Sequence, residues 1–115
     1  MEPYFTSFNA LSAEEIEKGI HVRTLSAGTV QLRYLVFEPG TLIPDHRHPE
    51  DVVTMVLEGT MEMTVDGETR NVTAGDVFRV PPKTGHSGRV FSERVVAVSW
   101  SPNPSTIPTG KTPER

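Results

Sequence analysis

The sequence predicts an all-β fold, an antiparallel barrel or sandwich built from short strands. From His21 onward the apolar residues recur with a period of two rather than 3.6. Turn signals at Pro39-Gly40, Asp66-Gly67 and Gly75-Asp76 separate the apolar runs, the punctuation expected of sandwiches and barrels. A length of 115 residues suits one domain with a single core.

The first strand candidate is "VQLRYLVF" (30–37), β-branched and aromatic, ended by Pro39-Gly40. "VVTMVLEG" (52–59) is apolar on both faces, as befits a strand covered on both sides. "TMEMTVDGETRNV" (60–72) reads as two alternating strands around Asp66-Gly67, the dipeptide that favours a type I′ hairpin turn. "DVFRVPP" (76–82) and "RVVAVSW" (94–100) supply two more, and His86 opens a further strand between them.

"LSAEEIEKG" carries the helix signal of the chain. Ser12 can cap, Glu15 can complete a capping box, and Gly19 supplies a stop. A peripheral helix of one or two turns is predicted, anchored by Leu11 and Ile16. The chain then divides into an N-terminal segment (1–29) with that helix, a barrel (30–102) and a Pro-rich tail (103–115). The prolines bar the tail from a central strand.

Charge narrows the function. Eleven basic and fifteen acidic side chains give a net charge of −4, which offers neither a basic footprint for nucleic acid nor a cationic face for a membrane. The chain has no cysteine, which excludes disulfides, thiolate ligands and a cysteine nucleophile. The N-terminus is acidic and lacks an apolar run of signal-peptide length, so a cytoplasmic location is the default expectation.

The chemistry concentrates in "PDHRHPEDVV" (44–53). His46 and His48 are two apart, so on an extended chain both imidazoles leave one face and can converge on one ion. His86, in "PPKTGHSG", is a third candidate ligand. Positions 46, 48, 50 and 52 share a parity, but Pro49 has no N–H for a strand ladder. Asp45 and Asp51 have the other parity and read as solvated acids.

These residues belong to a pattern. Gly40, "TLIPD", His46-Arg47-His48, "PED", Val52, "VTMVLE" and Gly59 follow the first motif of the cupin superfamily, and the chain resembles its small single-domain members. Gly75, "DVFRV", Pro81-Pro82-Lys83, "TG", His86, "SGR" and Val90 follow the second. Three positions depart: Val52 stands where the pattern has an acidic residue or glutamine, Lys83 where it has glycine, and Val90 where it has asparagine.

The resemblance implies a jelly-roll barrel, or double-stranded β-helix, with a metal inside its mouth, and a homodimer paired through an outer sheet. It implies that His46, His48 and His86 bind one divalent ion (iron, nickel, zinc or manganese), with Glu50 as a possible substitute fourth ligand. Three neutral imidazoles leave such an ion its full +2 charge and open positions, which makes it a strong Lewis acid. A three-histidine iron site resembles those of thiol and diketone dioxygenases.

Strand parity points Val98 and Trp100 into the pocket, and the family pattern points position 52, here Val52, at the metal. Arg33 either points inward with Leu35 and Phe37, where a buried guanidinium needs an anion, or outward at a dimer interface. The ending "VVAVSWSP" is similar to that of small cupins that linearise unsaturated uronates. Those carry an acidic residue where Val98 stands, which counts against that activity here. The expected function is a metal-dependent enzyme, of dioxygenase or isomerase type, acting on a small oxygenated acid, ketone or sugar. The alternatives are a non-catalytic sensor or binding barrel, and a structural barrel with vestigial histidines.

Overall fold

A computed structural model of the chain describes residues 4–103. It contains ten strands: β1 (Ala13–Glu17), β2 (Ile20–Ala27), β3 (Val30–Phe37), β4 (Leu42–His46), β5 (Val52–Glu58), β6 (Thr60–Val65), β7 (Glu68–Thr73), β8 (Val77–Val80), β9 (His86–Val90) and β10 (Val95–Pro102). They form two antiparallel sheets, one of six strands in the order β1-β2-β3-β10-β5-β8 and one of four in the order β4-β9-β6-β7. The Pro-rich tail lies outside the described residues apart from Asn103, whose N–H donates to the Thr29 carbonyl.

The expected N-terminal helix is not formed. Its residues make β1, which pairs with β2 through Ala13↔Arg23 and Glu15↔His21. The helical element among the described residues is one 3-10 turn, Phe8–Ala10. A helix of one or two turns must meet the nucleation cost of fixing its first turn for few hydrogen bonds. Here it would have little apolar surface to bury, since Ile16 stays largely exposed. The competing hairpin gains a ladder on an existing sheet edge. Gly19, at φ +84°, makes the turn, and its N–H donates to the Glu15 carboxylate at 2.9 Å.

Asp66 and Gly67 both take positive φ, +50° and +82°. Val65 pairs with Glu68 across them, so the hairpin has the two-residue turn that the sequence predicts. Gly59 is required on two counts. Its φ is +86°, and a Cβ there would stand 2.4 Å from the Arg94 carbonyl oxygen. The first-motif glycine thus lets the β5–β6 turn pass against the chain entering β10.

The core lies between the sheets, around Phe37, Val56, Met61, Met63, Val95 and Ala97. On β10 the core residues are Val95 and Ala97, so odd positions face inward and Val98 faces out. Outward residues next to Val98 are covered as well. Tyr34, its partner on β3, stacks on Phe8 with ring centroids 5.0 Å apart. Arg23 holds that N-terminal turn by donating to the Phe8 and Leu11 carbonyls at 3.2 and 2.6 Å.

Candidate metal centre

Two backbone features aim the three histidines at one point. In the β4–β9 pair, Ile43 stands opposite Gly88 and His46 opposite His86, leaving one extra residue on β4. That bulge resets the alternation, so Ile43 and His46 face the same side although they are three apart. The second feature is the turn after β8. Lys83, in the second motif's glycine position, takes φ +61°. Its N–H donates to the His48 carbonyl at 2.7 Å, tying the loop that carries His48 to the strand that carries His86.

One ring nitrogen from each of His46, His48 and His86 lies within 4.8 Å of the other two. The ring centroids are 4.1 Å apart for His46–His86, 4.8 Å for His48–His86 and 5.7 Å for His46–His48. Every Nδ1 is already engaged by a backbone carbonyl. His46 Nδ1 meets the Pro44 oxygen at 2.8 Å, His86 Nδ1 the Thr84 oxygen at 3.0 Å, and His48 Nδ1 the Glu50 oxygen at 3.3 Å. A carbonyl only accepts, so each neutral ring carries its proton on Nδ1 and keeps a lone pair on Nε2. This is the tautomer and orientation that metal-ligating histidines take from their outer partners.

Glu50 is not among the residues whose ligand atoms group within 4.8 Å. Its carboxylate lies beside His48 Nδ1, with Oε1 3.5 Å away. Oε1 is also buried without a hydrogen-bond partner. A buried carboxylate beside three rings that are neutral in their ligand form calls for a nearby cation. The donor set therefore fits a divalent ion held by three imidazoles, with Glu50 contributing charge from behind His48. Asp51 is turned away into a two-pronged ion pair with Arg79, both bonds 2.9 Å. Those hydrogen bonds hold its carboxyl below the usual range.

The triad opens into a cavity of about 370 Å³. Leu35, Phe37 and Val52 line it, as does Arg33, whose inward and outward readings the sequence left open, and so does Asp45, which the parity argument had turned outward. Val98 and Trp100 do not. On β10 the lining residues are Ser99 and Ser101, while Trp100 is 39% exposed on the opposite face. Sequence reasoning missed these serines because it took the even positions of β10, Val98 and Trp100, as the inward set.

Burial lowers the His86 pKa, helped by the charges of His46 and His48 and opposed by the Thr84 carbonyl and Asp45. A lowered value favours the metal-binding form near neutrality.

The cupin domain family matches residues 33–100. The fold and the match over more than half of the sequence agree, and the chain belongs to the cupin family. It is 36% identical over 63 residues to quercetin 2,3-dioxygenase from Bacillus subtilis, covering 54% of this chain and 19% of that protein. The chain thus spans about a fifth of that relative. Among solved structures, an RmlC-like cupin from Shewanella frigidimarina aligns with TM-score 0.80 and 26% identity, over 90% of this chain and 94% of that one. KdgF from Halomonas sp. aligns with TM-score 0.77 and 23% identity, over 89% and 96%.

Two predictions follow from this geometry. An unfolded His86 protonates near the ordinary value of about 6.5, and the folded one only at lower pH. In that window the unfolded chain binds more protons, so acid favours unfolding. The melting temperature of the metal-free protein should fall between about pH 7 and about pH 5, and His86→Gln should flatten the fall. A slope unchanged by His86→Gln would show that another group titrates. Second, Val52→Glu brings a carboxylate into the same cavity. Zinc affinity should rise about tenfold, roughly 1.4 kcal/mol; an unchanged affinity with a lower melting temperature would mean that position 52 does not reach the triad.

Proposed function

We propose that the chain is a metal-dependent enzyme acting on a small oxygenated organic molecule, with His46, His48 and His86 holding one divalent ion. The observation that carries this reading is the convergence of His46, His48 and His86, whose ligand nitrogens lie within 4.8 Å of one another while each Nδ1 meets a backbone carbonyl. A bound ion would supply Lewis acidity or, as iron, redox chemistry with dioxygen. The protein's own part is to fix the ring tautomers, exclude water with apolar walls, and orient the ligand through Arg33, Thr54 and Ser99. The quercetin dioxygenase match favours the oxygenase form of the reading over the isomerase form. The missing acidic residue near the end of β10 also disfavours a uronate-type rearrangement.

Metal analysis with oxygen uptake tests this. Saturated protein should hold one ion per chain, and each single His→Ala variant should lose most of it. Iron-loaded protein should consume oxygen with members of a panel of diketones and keto acids, and zinc-loaded protein should not. A folded chain that takes up no zinc, iron or nickel would overturn the metal reading. Stoichiometric iron without oxygen uptake across the panel would overturn the oxygenase form.

The same reading includes a homodimer. The outward face of the six-stranded sheet carries an apolar row in register, Leu25↔Leu32↔Trp100↔Val53, which includes the partly exposed Trp100 ring. Sedimentation equilibrium should give a dimer, and Trp100→Glu should shift it toward monomer while leaving the metal content intact. A native chain that is monomeric at high micromolar concentration contradicts this assembly.

A further inference from the structure

We propose that Glu15, His21 and Glu38 form a second metal site, on the outside of the barrel, that takes a zinc-like divalent ion and pins β1 to the turn after β3. One ligand atom from each residue lies within 4.8 Å of the other two. Strand alternation separates this site from the triad. Ile20, Val22 and Phe37 are buried in the core, so His21 and Glu38, which alternate with them, leave the opposite face of the six-stranded sheet. Glu15 stands across from His21 in the β1–β2 ladder. On the other side His21 faces Val36 of β3, two residues before Glu38. Opposed and diagonal partners on one face are within reach of long side chains.

The backbone holds these three positions together. The Glu38 N–H donates to the Gly19 carbonyl at 2.9 Å, one rung beyond the paired ends of β2 and β3. Thr41, which is buried, donates its hydroxyl to the Glu38 carbonyl at 2.7 Å and meets the Gly19 carbonyl at 3.4 Å. The Gly19 N–H in turn fixes the Glu15 side chain through one oxygen at 2.9 Å. A carboxylate has lone pairs on both oxygens to share with an ion. His21 Nε2 is hydrogen-bonded to the Glu38 carboxylate. That carboxylate accepts, so Nε2 carries the shared proton; an ion would take the proton's place, with the neutral ring protonated at Nδ1 instead.

Charge and donor type choose the ion. Two carboxylates and a neutral imidazole together carry two negative charges, which a divalent ion cancels; a plain histidine–glutamate pair needs only one of the acids. Calcium and magnesium favour all-oxygen shells, whereas imidazole suits zinc, nickel and iron. Three side chains are one ligand short of the zinc tetrahedron, and at a partly exposed position water completes it. β1 is the exposed edge strand of its sheet, and its ladder is interrupted between Glu15 and Glu17. An ion here gives that edge a second attachment. Ile16 and Glu17, the next residues along β1, line the cavity, so the same ion steadies one of its walls.

Zinc titration of the full chain, followed by calorimetry and by NMR of the histidine ring nitrogens, tests the site. A partly exposed site binds more weakly than the triad, so it fills after the single ion that the triad retains. The native chain should show a second, weaker event that moves the His21 ring resonances. Losing even an outer partner of a metal ligand costs about tenfold in affinity. His21→Gln and Glu38→Gln should therefore each weaken this event at least tenfold and leave the first unchanged. Zinc should also slow amide exchange along β1 in the native chain but not in His21→Gln. Should the triad take no zinc, the His21 event stands alone and persists in His86→Gln, so the two metal sites fail separately. His21 resonances that stay still through millimolar zinc would overturn the site. So would a second event that survives His21→Gln, or that an equal concentration of calcium removes, since either assigns the ion to a diffuse acidic surface. Exchange along β1 that ignores zinc would overturn the pinning.

Discussion

The pairing of β4 with β9 is the constraint on which the site depends. It sets His46 opposite His86, and its bulge turns His46 onto the face that Ile43 shares. An unbulged β4 would place His46 with Leu42, which is 69% exposed, and the imidazole would point to solvent. The pairing also needs close approach of β9 to side chains of its neighbours β4 and β6 in the same sheet. Gly88 lies under Ile43 and Met63, where a Cβ would stand 2.6 Å from the Met63 sulfur and 3.0 Å from the Glu62 carbonyl oxygen. A larger residue there would push β9 away from β4 or β6, and His86 would move with it.

His48 is positioned differently. It lies past the end of β4, so no ladder holds it. Its backbone oxygen is instead anchored by the Lys83 N–H and its ring by the Glu50 carbonyl. The left-handed Lys83 supplies the turn geometry that the second motif's glycine would supply more cheaply. That the chain keeps a lysine there, at a conformational cost of about 1–2 kcal/mol, shows how firmly the surrounding hydrogen bonds determine the turn.

Much of this was legible from sequence, for identifiable reasons. Asp66-Gly67 specifies its hairpin because few residue pairs accept two successive positive φ values. The histidines are legible through their spacing to glycines at 40, 59 and 75, all three of which take positive φ. The segment 12–19 misled because a capping box is a local signal, whereas a free sheet edge is a tertiary one. The facing of β10 misled for another reason. Val95 through Ser99 are all buried, since the core covers one face and neighbouring outward side chains such as Tyr34, under Phe8, crowd the other. Hydrophobicity then carries no parity. The cavity inverts the usual rule besides, placing Ser99 and Ser101 inward and Trp100 outward.

That inversion gives so small a barrel a partly polar interior wall. The four-stranded sheet and its loops contribute the imidazoles, each with its Nδ1 engaged by a backbone carbonyl. The six-stranded sheet contributes Thr54, Ser99 and Ser101 to the same cavity. Between them stand Phe37, Met63 and Phe78, apolar walls that leave little water to screen a charge placed at the triad.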